Sequence, residues 1–446
     1  MRAVLALGTL AAFFAVTGVF SLGMTVAAVW LCIQGLYFAG LWAGVFAFAF
    51  GASTLWSAWV VFRHQPEPEP HAVLLTREAQ PELWQLVDEV AAVAGTRGVE
   101  EIRLVLDGGS GVEQRRGLRW LELGLPVVAG LNVSELRALL ASQFSYLDGG
   151  GSRLAALAYR AKLRLDGVAG LEGFSYTGTR AFASVYARVA APIADDRERH
   201  ANERATAAGS PGITQRTAHA LPSVLRLWSD FRDTFLLLAE QAGRTPPVLA
   251  GFLAYLDHPS RNGGPCDSCE ALAREDGVPR DERLVWMVLN GAENAAQQLL
   301  PPRPFAEWQE IVELAGPVHT HRYAVALEHA GRVSGIGSSL GNVLDALTRG
   351  ELRRLTGETV DLSLSREEAD RAAVETVTEL LAFTVVHRLV MAGQVKLELD
   401  WGGVFALRVP QGGVVHPEEL VAPAVRDPAL VPQLRAHLQV MGVDGL

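Results

Sequence analysis

Charged residues are absent from the first part of the chain: between Arg2 and Arg63 there is no Asp, Glu, Lys, Arg or His. This run is far longer than the apolar core of a cleaved signal peptide, about 7–15 residues. A membrane-spanning helix needs about 20 apolar residues, so the run predicts two tilted spans with a turn near Gln34 and Gly35. A third span would leave almost no residues for loops. The alternative to a membrane hairpin is a buried helical hairpin of a soluble protein.

The few positive charges beside this run predict its orientation. Two spans place both ends of the run on one side of the membrane, with Arg2 and the terminal amine before the first span and Arg63 after the second. Positive residues are enriched on the cytoplasmic side of membranes. The rest of the chain is therefore expected in the cytoplasm, with the lipid bilayer as a partner. The membrane itself is expected to be a bacterial inner membrane.

Cysteine and lysine are scarce among the 446 residues. Three cysteines exclude a disulfide framework, and the only lysines are Lys162 and Lys396. The net charge of −10 and the pI of about 5.6 give no reason to expect nucleic-acid binding. Hydrophobic residues make up 49% of the chain, which is enough for two or three compact units.

Composition along the chain predicts four segments. Residues 65–70 read "QPEPEP", a stiff linker that follows the transmembrane hairpin of residues 1–64. A soluble domain is expected over residues 71–300, and the loop-rich stretch 257–280 is a candidate boundary. The remaining residues, 301–446, are predicted to form a C-terminal α+β module of unknown role.

Apolar spacing and turn residues predict a mainly α fold with small β elements, an α+β chain. Asn132 and Glu135 have the spacing of a capping box at the start of a helix, and the glycines at 149–151 are expected to end that helix. The other predicted elements are a helix in "PELWQLVDEVAAVAG" ended by Gly95, a strand in "EIRLVLD", a "GGSG" turn, and a second strand and loop in "LRWLELGLPVVAGL". Largely helical stretches are expected at 153–208 and 218–243, and a helix is expected at 366–393. A β-hairpin about Gly402-Gly403 and a final helix at 427–442 complete the prediction.

Four stretches follow one another in a fixed order: "PELWQLVDEVAAVAG", "LELGLPVVAGLNVSELRALLA", a Gly-Gly followed by Arg153-Leu154, and "RHANERATAA". In order and spacing they resemble the membrane-associated zinc metallopeptidases of the HtpX and CAAX-prenyl-protease type. The resemblance covers about residues 1–300 when the apolar hairpin is included. It implies a zincin-like peptidase domain over residues 71–300.

The residues that carry the chemistry of that family are replaced in this chain. Family members bind zinc through two histidines four residues apart on one helix, use the glutamate after the first histidine as general base, and take a third ligand from a later helix. The resemblance places the first histidine on Ser142, the base on Gln143 and the second histidine on Tyr146. The third ligand falls on Arg199, and the aspartate of the family's G-G-D falls on Gly151.

Each replacement works against zinc chemistry. A serine hydroxyl is a poor ligand, and Tyr146 would ligate only after losing a proton with a pKa near 10. Gln143 cannot accept a proton from water, and Arg199 puts a permanent positive charge where a dication would lie. We therefore expect no catalytic residues, no cofactor and hydrogen bonds from Arg199 to Tyr146 and Gln143. The flanking Glu198 and His200 are the ligands that a helical slip would present, and a repacked polar core without any ligand is the alternative.

Other polar motifs are weaker. Cys266 and Cys269 have C-x-x-C spacing, and with His258 upstream they are weak candidates for metal binding or for a redox pair. His319 and His321 are expected to form a solvated or capping pair. The sequence contains no convincing G-x-S-x-G, P-loop or dinucleotide-binding motif.

Three functional hypotheses follow from the sequence. The first is a membrane-anchored pseudopeptidase that binds, scaffolds or regulates another membrane protein or an active paralogue. The second is an active zinc metalloendopeptidase with a relocated metal site, acting on membrane or misfolded proteins, and it alone requires zinc. The third is a purely structural membrane protein without a pocket.

Overall fold

A computed structural model describes residues 2–63, 71–115, 117–148, 153–169, 177–259, 285–356, 366–403, 405–409 and 413–443. These residues are mostly helical and form two small sheets, which confirms the predicted mainly α chain with small β elements. The predicted linker 65–70, the glycines at 149–151, Cys266 and Cys269 lie outside the described residues.

The helices are α1 (Arg2–Ile33), α2 (Tyr37–Arg63), α3 (Pro81–Val93), α4 (Leu125–Gly130), α5 (Val133–Asp148), α6 (Arg153–Ala169), α7 (Thr177–Ala208), α8 (Pro211–Phe231), α9 (Leu237–Ala242), α10 (Val248–Asp257), α11 (Ala292–Gln298), α12 (Trp308–Val333), α13 (Leu340–Thr348), α14 (Leu352–Thr356), α15 (Arg366–Met391), α16 (Pro417–Arg426) and α17 (Val431–Val440). The strands are β1 (Val73–Leu75), β2 (Glu101–Val105), β3 (Ser110–Arg115), β4 (Leu118–Gly124), β5 (Lys396–Leu399), β6 (Phe405–Arg408) and β7 (Val414–Val415).

The chain forms two compact units. The first unit comprises Met1–Pro222 and Cys266–Asn290, and the second comprises Ser223–Pro265 and Gly291–Leu446. The domain limits that composition predicts, at residues 64, 70 and 300, stay predictions.

Helices α1 and α2 pack together as an antiparallel apolar pair. Residues 34–36 connect them, where the sequence predicts the turn. Gly35 lies there with φ 78°, a left-handed conformation that glycine adopts without strain. Among the described residues, α1 is the one helix long and apolar enough to cross a membrane, with a mean hydropathy of 2.2. The described apolar part of α2, Tyr37–Ala49, is shorter.

The first half of α1 also packs against α6 and α7. Ala6 and Leu10 are buried in one cluster with apolar side chains of both helices. Phe13 stacks on Phe182 with ring centroids 3.8 Å apart, and Arg2 pairs with Asp196 at 3.3 Å. Residue numbers therefore rise along α1 as they fall along α7, so the two helices run antiparallel.

The first unit contains a four-stranded sheet in the order β1-β2-β4-β3, with β2 and β4 parallel and the outer pairs antiparallel. Strand β3 is missing from the prediction because its sequence, "SGVEQR", is polar and lacks an alternating apolar pattern. It forms as an edge strand along β4, from Ser110 opposite Leu123 to Arg115 opposite Leu118. The predicted loop after β4 is instead the short helix α4, with Pro126 in its first turn.

The predicted capping box at the start of α5 is confirmed. The Asn132 backbone N–H donates to the Glu135 carboxylate at 2.9 Å, and the Glu135 N–H donates to the Asn132 side-chain oxygen at 2.8 Å. Glu135 is buried and also forms an ion pair with Arg216 at 2.6 Å. These bonds satisfy free N–H groups at the helix end and fix the start of α5.

Replacing Asn132 by Ala should lower the free energy of unfolding of the first unit by about 1 kcal/mol, because the Glu135 N–H loses its acceptor. Asn132→Asp keeps an acceptor oxygen and should remain close to the wild type. Denaturant titration of the full chain in detergent, followed by circular dichroism, measures both. An equal loss in the two variants would contradict a role for this cap.

The second unit contains an aromatic cluster in which each ring has its centroid 4.9–6.1 Å from that of at least one other member: Phe231, Phe235, Phe252, Trp308 and Trp401. The predicted β-hairpin is present, since β5 and β6 pair antiparallel on either side of Gly402-Gly403. The predicted final helix is present as α17, and a further helix that was not predicted, α16, precedes it.

Candidate functional site

Helix α5 buries one face and leaves the three positions that match the family's zinc-binding motif, Ser142, Gln143 and Tyr146, half-buried. Leu140 and Phe144 are fully buried, and the helix packs against α7 within the first unit. Ser142 and Gln143 are half-buried. The Ser142 hydroxyl donates to the carbonyl oxygen of Leu139 at 2.7 Å, so its proton is engaged by the helix's own backbone.

Tyr146 stacks on a second aromatic ring and lies near two charged side chains. Its ring is parallel to that of Tyr159, with an interplanar angle of 3° and centroids 5.7 Å apart. Burial raises the pKa of the Tyr146 phenol, and Tyr159 and the Glu198 carboxylate raise it further, against an opposing effect of Arg197. The phenolate that metal ligation requires is therefore less accessible here than in water.

Arg197, rather than the predicted Arg199, contacts Tyr146. The Arg197 side chain is 9% exposed, donates to the Tyr146 carbonyl oxygen at 2.8 Å, and has its guanidinium carbon 5.2 Å from the centre of the Tyr159 ring. The Arg199 side chain is 65% exposed and pairs with Asp196 at 3.4 Å. The expected hydrogen bonds from Arg199 to Tyr146 and Gln143 are therefore replaced by one from Arg197 to the backbone.

The spacing along α7 explains this difference. A stripe at four-residue intervals is buried and consists of Ile193, Arg197, Ala201 and Ala205. Arg199 lies between two members of this stripe and so belongs to the outer face of the helix. The two alanines and the isoleucine already mark the inner face in the sequence, so helical periodicity could have identified Arg197.

The outer face of α7 carries an open, polar groove. It is lined by Asp195, Glu198, Arg199, Asn202, Glu203 and Thr206. His200 is exposed, and its Nδ1 lies 2.8 Å from the Asp196 carbonyl oxygen. A shallow charged surface of this kind suits a protein partner better than a small apolar ligand, which needs an enclosed and largely apolar site.

A second set of polar side chains converges inside the second unit. His258, the weak metal candidate, lies 3.7 Å from an Asp400 carboxylate oxygen through its Nε2, and His416 Nδ1 lies 3.1 Å from the other oxygen. Sequence reasoning missed Asp400 and His416, because nothing local relates them to His258. Within the part of the chain that the structure describes, no group of three or more His, Cys, Asp or Glu side chains is placed so that it could hold a metal ion.

The two histidines expected to form a solvated or capping pair differ from each other. His319 is 8% exposed, and neither of its ring nitrogens has a hydrogen-bond partner among the described residues. Burial, with a smaller effect of Arg322, lowers the pKa of His319 to about 4. His321 is exposed, and its Nδ1 lies 3.4 Å from Nε2 of His387. The expectation is therefore wrong for His319, which is a core residue.

No protein-family model, curated protein or solved structure matches this chain. The peptidase resemblance consequently rests on the four sequence stretches alone.

Proposed function

We propose that this chain is a membrane-anchored, peptidase-like protein that lacks catalytic zinc at its peptidase helix and acts by binding another protein. The observation that carries the proposal is the position of Arg197, whose guanidinium contacts the Tyr146 carbonyl and the Tyr159 ring. Tyr146 stands where the family has its second zinc ligand. A permanent cation beside that position opposes a dication, and no proton loss can remove its charge.

The anchoring part of the proposal rests on the N-terminal hairpin. Helix α1 is long and apolar enough to span a bilayer, and large side chains such as Val19, Phe20 and Leu22 are exposed along it. Exposed apolar side chains of this size are stable in lipid and costly in water. With two spans and the positive-inside tendency, the soluble part lies in the cytoplasm of a bacterial cell.

The groove on the outer face of α7 is the surface that we assign to a partner, an active relative or another membrane protein. Its carboxylates, from Asp195, Glu198 and Glu203, outnumber the single guanidinium of Arg199. This surface therefore favours a partner with a basic face.

Metal analysis and a peptidase assay test the loss of catalysis. Purified full-length protein should not cleave unfolded or membrane substrates, and any zinc that it holds should be unchanged by Ser142→Ala or Tyr146→Phe. One equivalent of zinc that both variants lose, together with metal-dependent cleavage, would overturn the proposal.

Site-specific photo-crosslinking in native membranes tests the binding face. A crosslinker at Asn202 should give a discrete adduct that disappears when Glu203 is changed to Arg. The same crosslinker at the exposed position Arg332, in α12, is the matched control and should give none. Adducts of equal yield at both positions would contradict a binding role for the groove.

A further inference from the structure

Helix α1 is longer than a bilayer requires, and its first part packs inside the protein. Its 32 residues cover about 48 Å, whereas the hydrocarbon core of a bilayer is about 30 Å thick. The excess corresponds to about 12 residues. This is the length of the stretch from Arg2 to Phe13, whose inner face packs against α6 and α7 in one apolar cluster. Residues 15–33 remain for the membrane and cover about 28 Å.

The antiparallel packing of α1 and α7 decides which part of α7 lies nearest the membrane. Arg2 pairs with Asp196, in the second half of α7, and Phe13 stacks on Phe182, close to the start of α7. A bilayer that begins after Phe13 is therefore closer to the start of α7 than to its end.

Helix α6 completes this end of the first unit. The Tyr186 hydroxyl on α7 donates to the carbonyl oxygen of Ala158 on α6 at 3.1 Å, and α6 also contacts α1 and α2. We define the membrane-proximal bundle as α6 together with residues 2–13 of α1 and residues 177–194 of α7. All of it belongs to the first unit.

The charge of this region is opposite to that of the whole chain. Residues 153–194 include two acidic residues and six basic ones, a net charge of +4 in a chain whose net charge is −10. Arg188 is exposed on α7, and Lys162 is half-buried on α6. The basic residues are Arg153, Arg160, Lys162 and Arg164 in α6, and Arg180 and Arg188 in α7. The bundle is therefore suited to an anionic surface.

Large apolar side chains are exposed on the same helices: Leu157 and Leu163 on α6, and Val185 on α7. Val185 and Arg188 are three residues apart and so are neighbours on one helix face. Apolar side chains interspersed with basic ones are typical of helices that lie in the headgroup layer of a membrane. Deeper insertion is disfavoured because charged side chains are costly in the hydrocarbon core.

We propose that the membrane-proximal bundle lies in the headgroup layer of the bilayer and binds anionic lipids through its basic residues. Two observations agree on this depth. The excess length of α1 keeps the bundle outside the hydrocarbon core, and the charge of the bundle favours anionic headgroups. The proposal rests on the membrane anchoring of the proposed function, and it adds a lipid-binding surface beyond the spans themselves.

Fluorescence quenching in reconstituted vesicles of phosphatidylcholine and phosphatidylglycerol tests the depth of the bundle. The full-length protein, with Cys32, Cys266 and Cys269 changed to Ser, carries a bimane probe on Val185→Cys. The matched control carries it on Asn202→Cys, an exposed position about 25 Å further along α7. A spin label at the lipid headgroup should quench the Val185 probe strongly and the Asn202 probe little.

Two outcomes of the depth measurement would overturn the proposal. Equal quenching of the two probes, or quenching of neither, would show that the start of α7 is not held at the headgroups. Stronger quenching of the Val185 probe by a spin label at the bilayer centre would place the bundle inside the hydrocarbon core.

Lipid selectivity tests the role of the basic residues. The Val185 probe should be quenched more by spin-labelled phosphatidylglycerol than by spin-labelled phosphatidylcholine. Arg188→Glu should lower this preference by about fivefold, the effect of one basic residue beside an anionic surface. Arg371→Glu, at an exposed arginine of α15, is the matched charge reversal and should leave the preference unchanged. An equal loss in both variants, or no preference before either change, would contradict binding of anionic lipid.

Flotation of the vesicles separates this proposal from membrane anchoring. The wild type and Arg188→Glu should both float with vesicles of phosphatidylcholine alone at high salt, because the apolar spans and not the basic residues hold the chain in the bilayer. Protein that does not float would count against the anchoring in the proposed function. Protein that floats with an unquenched Val185 probe would count against the membrane-proximal bundle alone.

Discussion

Acidifying the protein from pH 7 to pH 4 should destabilise its second unit by about 3 kcal/mol through the single side chain of His319. Its pKa is lowered from 6.5 to about 4 in the folded state. The His319 imidazole is therefore protonated below about pH 6.5 in the unfolded chain, but only below about pH 4 in the folded chain. The contribution of His319 to the free energy of unfolding is fully present above pH 6.5. It falls by about 1.4 kcal/mol per pH unit between pH 6.5 and pH 4, and it changes little below pH 4.

The surroundings of His319 explain why its charged form is disfavoured. The ring packs against Tyr323, Phe383 and Phe405, with centroids 5.2–5.8 Å away. Neither ring nitrogen has a hydrogen-bond partner among the described residues, and Arg322 adds an unfavourable positive charge nearby. A buried cation without a partner is costly, so the ring stays neutral.

His319→Phe is the variant that isolates this effect. Phenylalanine keeps the aromatic contacts and removes two buried, unpaired nitrogens, so at pH 7.5 it should match or exceed the wild-type stability by about 1 kcal/mol. Between pH 6.5 and pH 4, the free energy of unfolding of this variant should fall much less steeply with decreasing pH than that of the wild type. Denaturant titrations at half-unit pH steps measure the slope, and His437→Ala should retain it. An unchanged slope in His319→Phe would contradict the assignment.

Features that depend on local spacing could be predicted from the sequence. The capping box of Asn132 and Glu135 and the hairpin at Gly402-Gly403 are examples, because a few neighbouring residues determine each of them. The edge strand β3 could not be predicted in this way. Its own sequence is polar, and it is extended because its backbone pairs with β4.

The candidate sites depend on longer-range facts. The family motif, matched by residue identity, points to Arg199, whereas the position around the axis of α7 turns Arg197 toward the core. The pocket at His258 needs the chain to bring a helix end, a hairpin and a helix start together. No local sequence pattern predicts that these three segments lie close together, since Asp400 and His416 look like ordinary surface residues in the sequence.

Gly124 is the position where the smallest substitution should have the largest effect on the first unit. A Cβ atom there would overlap the carbonyl oxygen of Gly108 and lie 2.8 Å from that of Gly109. These are backbone atoms, and the Gly124 N–H donates to the Gly109 oxygen at 2.8 Å, so the facing loop cannot move without breaking a hydrogen bond. The φ of Gly124, −70°, suits any residue, so the requirement for glycine is one of space.

Gly124→Ala should therefore destabilise the first unit by about 3 kcal/mol, the upper range for overpacking a rigid site. For a unit of this size, that loss lowers the unfolding temperature by about 6–12 °C. Gly109→Ala is the matched control on the facing loop, since a Cβ there meets nothing within 4 Å, and it should change the unfolding temperature little. Thermal unfolding of the full chain in detergent, followed by circular dichroism, measures both. Similar shifts in the two variants would show that this close approach is not what requires glycine at position 124.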